Sequence, residues 1–477
     1  MSIAYQGKKK SFILRTDAYK IAHWKFLPPN TTKLYGIGES RGVTDPGVPP
    51  RTLFFGLQMA LKKWLEGVVF DEADVEYGKL FNKGVFGFDG VYNYEGWKQL
   101  LQDHKGTIPV EIKALPEGSL VDSHNVLWTV ESTDPKYPWI ATYIESLLLQ
   151  SLWYPTSVAT TSFGIKKLIR KWAEKTGGSM QIPVSLNDFG YRGASSDETA
   201  EIGGCAHLVN FLGSDNLPGI QAAIDYYGAR PGVGISVPAT EHSETIIWGE
   251  DHEAEAYKYF MEQYPQGYIS IVSDSYDLNN AVKLFSTSLR DQVLTRDGVV
   301  VVRPDSGYPP DIMRHLLNQL WDSFGGNLTD KGYKVLNTKV RIIYGDWMSY
   351  GMIDKVCSAT TSAGFSTDNF VFGMGGALLQ MVNRDTFKFA FKASAAEVDG
   401  LERTFSKHPK DDPGKNSKAG KYMVLYNKWD GKFTSIPEDD LKADQNQLRT
   451  VFKNGKILIE EDFETIRKRA DSFLNVA

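Results

Sequence analysis

Residues 299–307 read VVVVRPDSG: four consecutive valines, then Arg303, Pro304, Asp305, Ser306 and Gly307. Four β-branched residues favour an extended strand, and an apolar run without alternation predicts a strand covered on both faces. The run then switches at once to a cation, a proline, a carboxylate and a glycine. Arg303 and Asp305 stand at i and i+2 of an extended segment and so project to the same side. A guanidinium fork suits a phosphate or diphosphate, and a carboxylate beside it accepts hydrogen bonds from vicinal sugar hydroxyls. Together they suit a phosphorylated sugar. The plain alternative is a salt bridge at a surface turn.

The same grammar recurs on either side. Residues 268–272 (YISIV) lead into Ser273, Asp274 and Ser275, residues 341–344 (RIIY) into Gly345 and Asp346, and residues 370–372 (FVF) into Gly373, Met374, Gly375 and Gly376. Helical spacing of apolar residues lies between and after these runs, for example over 312–324 and 377–384. Short apolar strands alternating with helices predict a parallel sheet covered on both sides. Such sheets and barrels gather ligands at the C-terminal edge of their strands. One polar turn after a strand is ordinary. Four in succession, with Asp in three and glycines in the fourth, predict a shared site.

Further candidates lie outward from this core. The glycines of 373–376 resemble a phosphate-cradling turn at a helix start, although the spacing matches neither Gly-rich nucleotide fingerprint, and a plain tight turn is the competing reading. Arg384, about two turns into the expected helix, offers a second phosphate contact. Residues 237–243 (VPATEHS) place His242 after an extended segment, where it serves as a base, a phosphate acceptor or a helix cap. Residues 187–196 (NDFGYRGASS) offer Phe189 for ring stacking and Arg192 for phosphate, or else a turn anchored by aromatics. The remaining histidines lack metal-ligand spacing. In the first half, helical patterns fall at 52–67, 142–151 and 162–175, and alternating strands at 108–130. Residues 407–421 carry five lysines with glycine and proline and read as a solvated loop.

Composition sets bounds on function. The 477 residues hold 53 Lys and Arg against 58 Asp and Glu, a net charge of −5, which leaves no footprint for nucleic acid or an anionic membrane. Only Cys205 and Cys357 occur, so neither a disulfide framework nor a Cys-rich zinc site is expected. No apolar run reaches the roughly 18 residues a membrane helix needs. Residues 1–10 lack the apolar run of a signal peptide, so the expected location is the cytoplasm.

Ten blocks now add up, in order, to a resemblance to the nicotinamide phosphoribosyltransferase family. They are TDAYK (16–20), PPNT (28–31), NDFGYRG (187–193), AHLVNF (206–211), SVPATEHS (236–243), VSDSYD (272–277), RPDSG (303–307), Gly345-Asp346, GMGGALLQ (373–380) and TVFKNGK (450–456). The resemblance implies an α/β fold, an irregular (β/α) barrel of the type II phosphoribosyltransferase kind, with a mostly β domain formed by both chain ends. It places the boundary so that 1–150 plus 385–477 form the second domain and 151–384 the catalytic barrel.

The implied reaction is attack of nicotinamide on C1 of phosphoribosyl pyrophosphate, giving nicotinamide mononucleotide and pyrophosphate in NAD salvage. ATP hydrolysis through a phosphohistidine at His242, oriented by Asp274, is implied as the stimulus, with Mg²⁺ as cofactor and its ligands unassigned. A homodimer with shared active sites is implied, with Phe189 and Tyr19 sandwiching the pyridine ring and Tyr19 coming from the neighbouring protomer. Arg192, Arg303 and Arg384 are implied to hold phosphates, and Asp305, Gly345 and Asp346 the ribose. Gly375 and Gly376 are implied to hold the 5′-phosphate, Asp215 and Ser270 to face the carboxamide, and Lys392, Lys407 and Lys415 to lie near the phosphate end. Two departures stand out: Ala377 replaces a third glycine, and the 407–421 loop differs in composition, which loosens the expected coupling to ATP. Asp215 favours an amide substrate, since nicotinate brings a second negative charge to a dry site. A nicotinate- or quinolinate-using relative and a non-catalytic ligand-binding or signalling relative are the alternatives.

Overall fold

The computed structural model describes residues 11–44, 50–178, 181–407, 410 and 417–475, and the chain divides into two compact units. One unit is residues 161–225 with 229–382; the other is residues 1–160, 226–228 and 383–477. No helix among the described residues is long and apolar enough to cross a membrane.

The first of these units is a barrel. Strands Leu186–Asp188, Gly213–Ser214, Gln266–Val272, Asp297–Arg303, Val340–Tyr344 and Phe370–Met374 form one six-stranded sheet, and every pairing in it is parallel. The strand that comes last in the chain pairs with the first, Phe372 opposite Leu186. The remaining gap, between Gly213–Ser214 and Gln266–Val272, is bridged by an extended segment: Ile235 pairs with Gly213 and Ala239 with Ser270. Chain order is thus the order around the ring, which these two bridges close. Val300, Val301 and Val302 are all buried, as the unbroken apolar run predicts. Helices such as Pro309–Phe324 and Tyr350–Ser362 follow their strands. The first starts on Pro309, where a missing N–H costs nothing, and the second is capped by the Ser349 hydroxyl on the Met352 N–H.

The second unit is built on a seven-stranded antiparallel sheet. Its order is Leu401–Thr404, Phe389–Val398, Thr31–Ser40, Val126–Ser132, Val110–Ala114, Arg449–Lys453 and Lys456–Ile457, so both ends of the chain contribute. Val110–Ala114 alternates buried and half-buried positions, the period-two signature of a sheet with one covered face. Trp128 and Phe54, both fully buried, stack at 6.3 Å in that core.

Two helical expectations change. The patterns over 142–151 and 162–175 belong to one 32-residue helix, Glu145–Thr176, which runs through Pro155. Proline costs the helix a hydrogen bond, but the following turn is anchored from outside. The Thr156 hydroxyl donates to Phe55 O at 3.0 Å, and Thr160 Oγ1 accepts from the Leu53 N–H at 2.9 Å. The pattern over 52–67 resolves into strand Arg51–Leu53 and helix Leu57–Trp64.

Candidate active site

Because all six barrel strands run parallel, their C-terminal ends face one way. Asp188, Ser214, Val272, Arg303, Tyr344 and Met374 end these strands, and the polar residues that follow them gather at that mouth.

Phe189 follows directly after its strand, with its N–H on Met374 O at 3.1 Å. Its ring lies across Gly345 and Gly373. A Cβ on Gly345 would stand 3.1 Å from the ring, and one on Gly373 would overlap it. Gly373, within strand Phe370–Met374, and Gly345, just after Val340–Tyr344, therefore make room for the aromatic that follows a third strand. The Arg303 guanidinium carbon lies 5.5 Å from the same ring centroid, within cation–π range. Arg303 also stands 4.0 Å from Asp305, and its Nε has no hydrogen-bond partner among the described residues. The Ser270 hydroxyl, buried on its strand, and that of Ser275 are likewise unpartnered. Buried polar atoms without partners are costly, and a ligand that hydrogen-bonds any of these three would offset that cost.

His242 is the first residue of helix His242–Trp248, delivered by the segment that closes the barrel. Its Nε2 lies 3.2 Å from Asp274 Oδ1; the imidazole is 41% exposed and the carboxylate only 6%. The other oxygen of Asp274 accepts from the Asp305 N–H at 2.8 Å and from the Ser306 hydroxyl at 2.6 Å. The Tyr344 hydroxyl donates to the same turn, 3.0 Å from Ser306 O and 3.1 Å from Gly307 O. Burial and the nearby carboxylates push this phenol up to about 12. Burial, then Asp305, raise the carboxyl of Asp346, with Asp274 adding to the effect. The mouth thus holds a pool of mutually repelling carboxylates beside the Arg303 cation.

Asp215 is exposed, accepts from the Ser236 hydroxyl, and donates its N–H to Asp188 O at 3.0 Å. Asp188 itself had drawn no attention in the sequence. It is fully buried, accepts from the Gly190 N–H at 2.7 Å and Asn216 Nδ2 at 2.9 Å, and burial pushes its carboxyl up to about 6. Its place immediately before Phe189 was the available signal. Arg192 is exposed on the turn Tyr191–Gly193, and a Cβ on Gly193 would lie 3.3 Å from the Gly376 nitrogen. Arg192 and the turn of Gly375 and Gly376 are therefore neighbours.

Tyr19, Arg384 and Lys392 belong to the sheet unit. There they line one cavity of about 1010 Å³ together with Lys407. Its wall carries six cations (Arg15, Arg41, Arg384, Lys388, Lys392, Lys407) against three carboxylates (Asp17, Glu145, Asp385), a balance that suits an anion. The expected helix over 377–384 is corrected: it spans only Gly376–Leu379. The Asn383 side chain takes the N–H groups of Asp385 and Thr386 at 2.8 and 3.2 Å, so Arg384 sits in an Asx-type turn. Lys415 lies outside the described residues.

No group of three His, Cys, Asp or Glu side chains placed to hold a metal occurs among the described residues. This donor set does not make a closed cage. It fits a hard cation brought in on diphosphate oxygens and touched by one or two carboxylates, the usual manner for Mg²⁺.

Comparison with known proteins agrees with the geometry. Residues 184–456 match the family model described as the nicotinate phosphoribosyltransferase (NAPRTase) family, and residues 11–112 match that described as nicotinamide phosphoribosyltransferase, N-terminal domain. A Xanthomonas campestris pv. campestris protein named nicotinamide phosphoribosyltransferase is 40% identical over 471 residues, covering 97% of this chain and 98% of its own. A protein of that name from Acinetobacter baylyi is 33% identical over 486 residues, covering 95% of each. In structure, the nicotinate-nucleotide pyrophosphorylase of Pyrococcus furiosus superposes with a TM-score of 0.63 at 17% identity, over 99% of this chain and 98% of that one. Human nicotinic acid phosphoribosyltransferase does so with a TM-score of 0.55 at 15% identity, over 96% and 93%. These two establish the fold, the irregular α/β barrel of type II phosphoribosyltransferases with a separate mostly β domain. On the strength of its two family matches and its full-length relatives, the chain belongs to the nicotinamide phosphoribosyltransferase family.

Proposed function

We propose that the protein makes nicotinamide mononucleotide and pyrophosphate from nicotinamide and phosphoribosyl pyrophosphate in NAD salvage, and that it does so as a cytoplasmic homodimer. The observation that carries this reading is the meeting of Phe189, Arg303 and Asp305 at one barrel mouth. A flat ring surface stands beside a diphosphate-type cation and a hydroxyl-accepting carboxylate.

In this reading the pyridine nitrogen attacks C1 of the donor and forms the new C–N bond as the C1–O bond to pyrophosphate breaks. The bonding pair leaves with the diphosphate. Positive charge grows at C1 and negative charge on the leaving group, where Arg303 and Arg192 are placed to offset it. Asp305, with Gly345 and Asp346, holds the ribose, and Gly375 and Gly376 present N–H groups to the 5′-phosphate. Ser270 and Asp215 orient the carboxamide. Asp305 and Asp346 are the residues that would hold a Mg²⁺ ion, which would supply Lewis-acid stabilisation of the leaving group. Proximity supplies much of the remainder, so no side-chain nucleophile takes part in this step. Arg384 and Lys392 serve phosphate groups, and Tyr19 reaches the ring from the neighbouring protomer.

ATP enters as a co-substrate. A ring nitrogen of His242 attacks the γ-phosphorus, ADP departs with the bridging oxygen, and water later releases phosphate from the phosphohistidine. Asp274, 3.2 Å from Nε2, orients the imidazole. The test is a turnover assay with nicotinamide and phosphoribosyl pyrophosphate, with and without ATP. Formation of the mononucleotide, with ATP stimulation lost in His242→Ala, is the expected result. Faster turnover of nicotinate than of nicotinamide overturns the substrate assignment, and absence of turnover with either base overturns the activity.

A further inference from the structure

In the wall of the cavity that holds Tyr19, Arg384 and Lys392, one carboxylate is shared between two ammonium groups. Glu145 opens helix Glu145–Thr176, where the helix N-terminus favours a negative charge. Its Oε2 lies 2.6 Å from Lys20 Nζ and its Oε1 3.2 Å from Lys392 Nζ. The three side chains differ in exposure. Lys20 is 5% exposed and Glu145 11%, whereas Lys392 is 46% exposed and lines the cavity. The segment carrying Lys20 is fixed to the same helix start, by the Thr16 hydroxyl on Tyr143 O at 2.9 Å and by the Ser146 hydroxyl on Asp17. A buried ion pair adds little stability that two apolar side chains would not, so the Lys20–Glu145 pair calls for another role.

We infer that Lys20 is a positioning residue: it neutralises Glu145, so that Glu145 orients Lys392 without cancelling the charge Lys392 presents to an anion. The inference rests on the phosphate-holding role proposed above for Lys392, and it explains how that role survives a carboxylate 3.2 Å away. Glu145 and Lys392 alone form a pair of zero net charge, and an incoming anion has to compete with Glu145 for the ammonium. With Lys20 added, two ammonium groups against one carboxylate leave one positive charge, and the exposed member of the triad is the one that delivers it. Lys20 is buried, so its charge acts on Glu145 rather than on the ligand directly. Buried charges are screened little by salt, so the effect persists at physiological ionic strength. Arg384 and Lys388 stand in the same wall, which suits the site to a phosphate or diphosphate group.

The test titrates the full-length protein with inorganic pyrophosphate by calorimetry at one fixed, low ionic strength, with a thermal melt on each variant. In Lys20→Met the dissociation constant is expected to rise about tenfold, equivalent to ~1.4 kcal/mol. The same loss is expected in Lys20→Gln, which keeps a donor for the buried carboxylate and serves where Lys20→Met does not fold. In the double variant Lys20→Met with Glu145→Gln, Lys392 regains an uncancelled charge, and the constant is expected to return to within about threefold of wild type. A purely structural role of the pair predicts the reverse, a double variant at least as weak as the single one. Wild-type affinity in the neutral Lys20 variants, or no recovery in the double variant, overturns the inference. A Lys392→Met protein that binds pyrophosphate as wild type does contradicts the phosphate role of Lys392, and the inference falls with that reading.

Discussion

The guanidinium carbon of Arg303 lies 5.5 Å from the centroid of the Phe189 ring. The two residues end or follow different strands, Asp297–Arg303 and Leu186–Asp188, that are not direct neighbours in the sheet. Their approach is a consequence of barrel closure. It places a guanidinium and an aromatic ring in one mouth, the juxtaposition that the proposed joining of a flat base to a charged sugar donor uses.

Arg303→Ala is expected to lower kcat/KM by about a hundredfold or more, the usual scale for loss of a preorganised charge at a leaving group. Arg303→Lys is expected to recover only part of this, because an ammonium lacks the planar fork. Steady-state kinetics on both variants check this; full activity in the lysine variant contradicts a bidentate role.

Gly373→Ala tests the slot under Phe189. The added methyl overlaps the ring, so either the ring or the strand must move. The expected cost is about 1–3 kcal/mol of stability, with a nicotinamide KM raised more than the donor KM. A thermal melt and paired saturation curves read both quantities, and an unchanged nicotinamide KM contradicts the ring's place in the base site.

Asp215→Ser is expected to relax the preference for nicotinamide over nicotinate. Asp215 is exposed and hydrogen-bonded by Ser236; in the role proposed for it, the carboxylate repels a substrate carboxylate and accepts from an amide. Competition between the two bases measures the ratio of catalytic efficiencies. An unchanged ratio removes Asp215 from substrate choice.

Asp188 makes stability depend on pH. Its carboxyl is raised from 3.8 to about 6 in the folded protein. Between those values the folded state holds a proton that the unfolded state has released, so this contribution is complete below about pH 4 and is lost as pH rises through about 6. The span corresponds to about 3 kcal/mol or less. Denaturant titrations from pH 4 to 7 are expected to show a shallower fall for Asp188→Asn than for wild type; parallel curves contradict a buried, proton-holding Asp188.

The barrel was legible where strands were long and apolar. Residues 299–302 announce themselves through four consecutive valines and 268–272 through a mostly apolar run, and the polar residues after them mark the mouth because parallel strands share a direction. Leu186–Asp188 and Gly213–Ser214 were not legible, being two or three residues long and partly polar; their pairing comes from neighbours, not from their own propensity. Asp188 was hidden with them. The helix after Gly375 was overestimated because the Asn383 turn competes with helical bonding, and the break expected before Ser162 is absent because Thr156 and Thr160 are anchored to 53–55. The cation-lined cavity holding Tyr19, Arg384 and Lys392 joins residues far apart in sequence, so its assembly has no local pattern to read.

The most direct measurement is a crystal structure of the protein with nicotinamide mononucleotide bound. The account predicts the pyridine ring against Phe189, the ribose hydroxyls on Asp305 and the Arg303 guanidinium beside the nucleotide, all in the barrel mouth. A nucleotide seated away from these three side chains, or a ring that leaves Phe189 uncovered, contradicts it.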